Sequence, residues 1–262
     1  MLRRLMNKMG LTASAPAMLG VSTNHATEFN SALVSLGFPR APALRAYKDT
    51  ATMDHWGDVA NWLQSGYTVW VSTTRTDSTF FSGFKSKFGS NGLNAGRNGS
   101  NKLKLIYWHE PENDANMSPS LFTTNFRKVS SALKSDFEMA VTMMAYTYRD
   151  KGRTAWLSTG WPGASYVDYL TVDGYQKTFP YATWSKILDP ARDFAASKGV
   201  KFGIMEWGCR VGGPQATGVS DMGTYLFAHP EIKVAIYWDS AATYDYTLHN
   251  NATAMKAYGA LL

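Results

Sequence analysis

KLKLIYWHEPEND at 102–114 and KFGIMEWG at 201–208 decide the architecture. In each, an apolar run of strand length ends on a glutamate, Glu110 or Glu206. Loop-like residues follow: Pro111 after the first, Trp207 and Gly208 after the second. Near-continuous apolar runs of this kind suit parallel strands covered on both faces. Six further segments share the character: 16–22 (PAMLGVS), 43–48 (ALRAYK), 67–73 (YTVWVST), 138–146 (EMAVTMMAY), 168–175 (DYLTVDGY) and 233–238 (KVAIYW).

Helix-compatible stretches separate these segments. Residues 24–36 begin with Asn24 as a cap and stop before Gly37. Residues 53–65 set Trp56, Val59, Ala60 and Leu63 on one face before Gly66. Residues 118–134, 183–198 and 251–262 also read as helices, and a weaker pattern runs around 155–165. After the third strand the Gly/Asn-rich stretch 89–100 obscures any helix and reads as a long loop. A structured loop is expected after the seventh strand, around 209–220, from Gly208, Gly212, Gly213 and Pro214. Eight strands alternating with helices predict a single (β/α)8 barrel, rather than an open doubly wound sheet. Residues 15–262 form that barrel and 1–14 an N-terminal arm.

Composition agrees. The chain has 262 residues, 45% hydrophobic and 18% charged, enough for one sizeable core. A single cysteine, Cys209, excludes an intrachain disulfide framework and a multi-cysteine zinc site. The net charge of +6 reads as a basic surface; its densest stretch, Arg97 to Lys104, holds only three cations without interleaved stacking residues. Nucleic acid is therefore not expected as a partner. No run approaches the ~20 apolar residues that a spanning helix needs, so membrane insertion is not expected either. The start, MLRRLMNKMGLTASAPAM, is broken by Asn7, Lys8 and Gly10 and makes a poor signal segment. There is no HExxH, GxSxG elbow, P-loop or GxGxxG, so no catalytic metal and no cofactor is expected.

In a parallel barrel, strand ends lie at the C-terminal mouth, where such folds do their chemistry. Glu110 and Glu206 would then face each other at the ends of strands four and seven. Two such carboxylates are the minimal apparatus for cleaving a glycosidic bond, with retention or inversion set by their separation.

Trp108-His109-Glu110-Pro111 and Ile204-Met205-Glu206-Trp207-Gly208 resemble the strand-four and strand-seven signatures of glycoside hydrolase clan A. His109, where most of the clan has asparagine, is similar to family 26, the β-mannanases and related endoglycanases. The resemblance implies retention of configuration, with Glu110 as acid/base and Glu206 as nucleophile; endo action is the leading reading, and exo action stays open, set by the loops around 89–100, 149–165 and 209–220. It also implies that Arg45, near the end of strand two, and Tyr175, ending strand six, hold the nucleophile; an ion pair of Arg45 with Asp49 or Asp173 is the plainer alternative. Trp238, ending strand eight, resembles the clan's aromatic floor for the sugar. His109 is expected to donate a hydrogen bond to substrate or to the catalytic carboxylate. Trp108 and Pro111 are expected to give Glu110 apolar surroundings. Trp70, Trp161, Trp207 and Tyr148 are further candidates to line the cleft, and Glu112 and Asp114 read as a solvated acidic loop.

The implied partner is a β-linked polysaccharide, mannan first and xylan or β-glucan next, acted on by a monomer. Such a substrate points to an extracellular, surface or virion-associated place of action. A non-catalytic glycan-binding barrel, serving as a surface or virion component, is the alternative from a different class.

Overall fold

The computed structural model describes residues 17–22, 25–49, 56–93, 103–241 and 244–262. Eight strands close into one parallel barrel in sequence order: β1 (Met18–Ser22), β2 (Ala43–Tyr47), β3 (Thr68–Thr73), β4 (Lys104–Tyr107), β5 (Glu138–Met144), β6 (Tyr169–Gln176), β7 (Lys201–Cys209) and β8 (Ile232–Tyr237). Every expected strand is present, and β8 pairs back onto β1 through Met18 and Val234. The helices among the described residues are α1 (Ala26–Ser35), α2 (Gly57–Gln64), α3 (Ser78–Phe88), α4 (Pro119–Leu133), α5 (Thr154–Ser158), α6 (Trp184–Lys198), α7 (Gln215–Ala228) and α8 (Ala252–Gly259). The arm 1–14, the proposed cap Asn24 and most of the 89–100 stretch lie outside the described residues.

Alternation along the strands sorts side chains into two layers. Ala43, Trp70, Ile106, Ala140, Tyr169, Val234 and Ile236 point inward and fill the barrel. The other faces bury Leu19, Val21, Val69, Val71, Leu105 and Val141 against the helices. The helix that the Gly/Asn-rich stretch obscured is present after the third strand and ends at Phe88, before 89–100 begins. Asp77 caps α3 by accepting from the Phe80 amide at 2.8 Å. Phe80, Phe84 and Phe88 then form one stripe that packs on Trp56. Likewise the expected loop 209–220 gives way to α7 from Gln215 onward. The helix expected around 155–165 contracts to the five residues of α5.

Gly20 shows how tightly the barrel closes. A Cβ there would stand 2.6 Å from the Ala43 carbonyl oxygen and 2.4 Å from Ile236 Cδ1. The backbone oxygen cannot rotate away, so strands must part to admit a methyl group. Gly20→Ala is therefore expected to cost about 1–3 kcal/mol, read as a lowered urea midpoint with an unchanged slope.

Candidate active site

Glu206 owes its position to an irregularity in β7. Strict alternation from Phe202 and Ile204, both packed under the helices, would send residue 206 outward as well. Instead the register with β6 jumps from Val172–Ile204 to Asp173–Glu206, leaving Met205 as an extra residue. Pairing with β8 makes the same jump, from Ile204–Ala235 to Trp207–Tyr237. A β-bulge of one residue reverses which face every later side chain takes. Met205 joins the barrel interior and Glu206 turns to the mouth.

The same bulge corrects one expectation. Trp207 is fully buried outside the barrel, with Trp184, Tyr237 and Tyr258 rings at 5.7, 4.7 and 6.2 Å. It packs the core and does not reach the cleft. Trp70 packs edge-on against Tyr169 at 5.0 Å inside the barrel, while Trp161 and Tyr148 pack on Phe194. None of these three lines the cleft either.

Around Glu206 stands a buried polar cage. Arg45 places one guanidinium nitrogen 3.1 Å from Glu206 and 3.1 Å from Asp173, and its other nitrogens 3.3 and 3.4 Å from the Ser72 hydroxyl. The two roles weighed for Arg45, holder of Glu206 and partner of Asp173, are thus combined; Asp49 instead accepts from Thr74. Tyr47 and Tyr175 both donate their hydroxyls to Glu206, one to each oxygen. Burial raises both phenols well above their ordinary range, which keeps them protonated as donors. Burial works against the charge on Arg45, but Asp173, the phenols and Glu206 more than offset it and raise its pKa. Asp173 is raised well above the usual carboxylate range by burial, against the pull of Arg45.

Glu110 reaches the mouth by another device. Trp108 and Glu110 both adopt left-handed backbone, with φ of 51° and 50°. That conformation costs a non-glycine residue on the order of 1–2 kcal/mol. Amide bonds to the neighbouring strands hold it: Trp108 donates to the Thr73 carbonyl at 2.9 Å and Glu110 to the Thr142 carbonyl at 3.0 Å. Asn113 Nδ2 then donates to Glu110 Oε2 at 2.9 Å. Burial first, and the Glu206 carboxylate second, raise the Glu110 pKa. Half-buried Trp108 leans on Tyr107 and the outer core. His109 lines the cleft with its ring edge-on to Tyr47 at 5.1 Å, its pKa lowered to about 3 by burial and by Arg45, so it is neutral.

The resulting cleft, about 390 Å³, is lined by both glutamates with His109, Asn113, Tyr175 and Trp238, and by Tyr146, Lys177, Tyr244 and Tyr246 beyond them. Trp238 stands edge-on to Tyr47 at 5.8 Å. Oxygens of Glu110, Asp173 and Glu206 approach within 4.8 Å of one another. A cation could sit among them, but Arg45 already supplies counter-charge to two. A groove of about 410 Å³ on the barrel flank, between α1 and α2, contains no carboxylate.

No protein-family model matches the sequence, and no curated protein sequence matches it. Solved structures share the fold. A GH26 β-mannanase from Bacteroides ovatus aligns with a TM-score of 0.63 at 12% identity, over 94% of this chain and 88% of that one. A modular endo-β-1,4-mannanase from Cellulomonas fimi gives 0.65 at 16% identity, over 98% and 73%. A GH128 endo-β-1,3-glucanase from Amycolatopsis mediterranei, in complex with laminaripentaose, gives 0.62 at 14%, over 94% and 100%. The chain has the (β/α)8 fold of these mannanases and this glucanase.

Glu112 corrects the reading of a solvated acidic loop. The 3₁₀ turn Pro111–Asn113 folds it back so that it is only 9% exposed. Its Oε1 accepts from the Met144 amide at 2.5 Å and the Thr147 hydroxyl at 2.9 Å, tying the loop after β4 to the end of β5. Burial pushes its pKa up to about 7 from an ordinary 4.5. Between those values the unfolded chain has released a proton that the folded one keeps. Stability from this group is therefore full below pH ~4.5 and falls as pH rises to ~7. Relative to Glu112→Gln, which cannot titrate, the wild type is expected to lose on the order of 2–3 kcal/mol between pH 4.5 and 7.5 in paired denaturant titrations.

Proposed function

We propose that this chain is a retaining β-glycosidase in which Glu206 is the nucleophile and Glu110 the acid/base. The observation that carries this reading is the approach of their carboxylate oxygens to within 4.8 Å at the barrel mouth. Retaining pairs stand about 5–5.5 Å apart, whereas inverting pairs need about 6.5–9.5 Å to admit a water.

The electrostatics divide the roles. Arg45 and two phenol donors hold both oxygens of Glu206 in place at the mouth, the positioning that a nucleophile requires. Glu110, raised by burial and by its neighbour's charge, suits a proton donor to the leaving oxygen. Once Glu206 is esterified by the sugar its charge is gone, and with it one cause that raised Glu110. The pKa of Glu110 then falls, and it accepts a proton from the water that attacks the glycosyl-enzyme. Neutral His109 offers a ring N–H or nitrogen to a sugar hydroxyl, and Trp238 an aromatic face to the ring's C–H groups.

The substrate proposed is a β-linked polysaccharide, mannan first and xylan or β-glucan next. His109 ahead of Glu110 and the fold shared with GH26 mannanases support that order. A cleft that continues past the two glutamates into a second hollow favours endo action.

Reducing-end release from a panel of β-glycans tests the reading. Glu110→Ala and Glu206→Ala are each expected to lower kcat by at least about 10²–10⁴-fold while the protein stays folded. Turnover that survives Glu206→Ala, or glycan binding with no hydrolysis by the wild type, would sink the assignment; the second outcome would leave a non-catalytic glycan-binding barrel. Proton NMR of the first turnovers gives an independent check: the β-anomer should appear first, and an α-anomer would mean inversion.

A further inference from the structure

The cleft has a side branch. A second hollow of about 200 Å³ opens at the ends of β5 and β6, sharing Met144, Tyr146, Tyr175 and Lys177 with the main cleft. Arg149 lines the branch, and Lys177 stands at the junction. Among the described residues neither is ion-paired with a carboxylate, whereas nearby Arg153 is held by the Glu112 carbonyl at 3.0 Å and Asp150 at 3.9 Å. Lys177 Nζ lies 5.6 Å from the Tyr175 ring centroid and 6.0 Å from that of Tyr244. Those rings hold the ammonium over the cleft rather than out in bulk water. Arg210 stacks on the same Tyr244 at 4.8 Å and donates to the Lys177 carbonyl at 3.4 Å, adding a third cation at this edge. At the inner end of the branch Arg45 engages Asp173 through Oδ1 at 3.1 Å, while Oδ2 is buried without a hydrogen-bond partner among the described residues. At the outer end of the branch the charges without an ion-pair partner among those residues are Arg149 and Lys177.

Neutral mannan, xylan or glucan offers those donors only hydroxyl and ether oxygens. A carboxylate or sulfate on a sugar offers more: guanidinium and ammonium form charge-assisted hydrogen bonds to either, stronger than those to a hydroxyl. Resting on the glycosidase reading above, we propose that the substrate is an acidic β-linked glycan whose sugar beside the cleavage point carries an anionic substituent, seated in the branch between Arg149 and Lys177.

Binding without turnover tests this separately from the chemistry. The Glu110→Gln variant blocks proton donation yet keeps that position neutral, as in the protonated acid. Isothermal titration of this protein would compare a β-1,4-linked mannuronate tetrasaccharide with β-1,4-mannotetraose, which differs only in bearing CH2OH for each carboxylate. A 6-O-sulfated mannotetraose forms the third arm. At low salt at least one anionic ligand is expected to bind about tenfold or more tighter than the neutral one, with the ratio shrinking severalfold in added NaCl. Adding Arg149→Gln and Lys177→Gln should bring the ratio close to one. Preference for the uronate alone or the sulfate alone identifies the substituent, and either supports the proposal. A ratio near or below one in the starting protein, or a ratio indifferent to both substitutions, overturns it. Failure of hydrolysis by the two glutamates would leave this binding result standing, and a ratio of one would leave the two-glutamate chemistry standing.

Discussion

A guanidinium with no exposed surface organises the mouth of this barrel. Arg45 cannot be neutralised by losing its proton, so burying it demands acceptors on every side. The protein supplies them from three other strands: Ser72 on β3, Asp173 on β6 and Glu206 on β7. Removing either carboxylate would leave part of the buried charge unmatched, typically at a cost of about 3–5 kcal/mol. The cage thus fixes strand ends that hydrophobic packing alone would hold less specifically. Two acids share one cation there, with Glu110 as a third nearby. Burial and crowding of that sort raise the proton affinity of Glu110 and Asp173.

That cage closes only because β7 carries one residue too many. Without the bulge at Met205, residue 206 would lie under the helices and Trp207 would face the cleft. The bulge exchanges them, so a single inserted residue supplies both the acid in the cage and a large aromatic anchor in the outer core. Strand alternation, which organises everything below the mouth, is overridden at the one level where a specific side chain must face the cavity.

The barrel and the two glutamates were legible in the sequence because both depend on strong, repeated signals: eight apolar runs and two acids at the ends of two of them. Trp207 was misread because a bulge leaves no mark in composition; MEWG is compatible with either parity. Tyr47 was legible and overlooked. It lies two residues beyond Arg45, hence on the same strand face, but a tyrosine ending a strand reads equally well as core. Glu112 was misjudged because EPEND has the composition of a solvated loop, and only the 3₁₀ turn that carries it back under β5 reveals its burial. The helix α3 was hidden by the Gly/Asn-rich stretch that follows it, although Asp77 and the Phe80, Phe84, Phe88 spacing announced it.

Apart from the buried Arg45, charge is segregated by depth at this end of the molecule. Glu110, Asp173 and Glu206 occupy the inner level, and Arg149, Lys177 and Arg210 the outer one. Were the two sets mixed, close pairing with lysine or arginine would hold Glu110 ionised and deprive it of a proton to donate. Keeping most of the cations at the rim lets burial dominate at Glu110, against the opposing pulls of Asn113, Arg45 and, least, Lys177. The rim charges also remain available to something other than the protein itself. Low-dielectric walls focus their field along the opening, so an anionic chain is drawn toward the cleft before it contacts the acids inside. The same separation that leaves burial free to raise the Glu110 pKa thus defines the kind of molecule the entrance prefers.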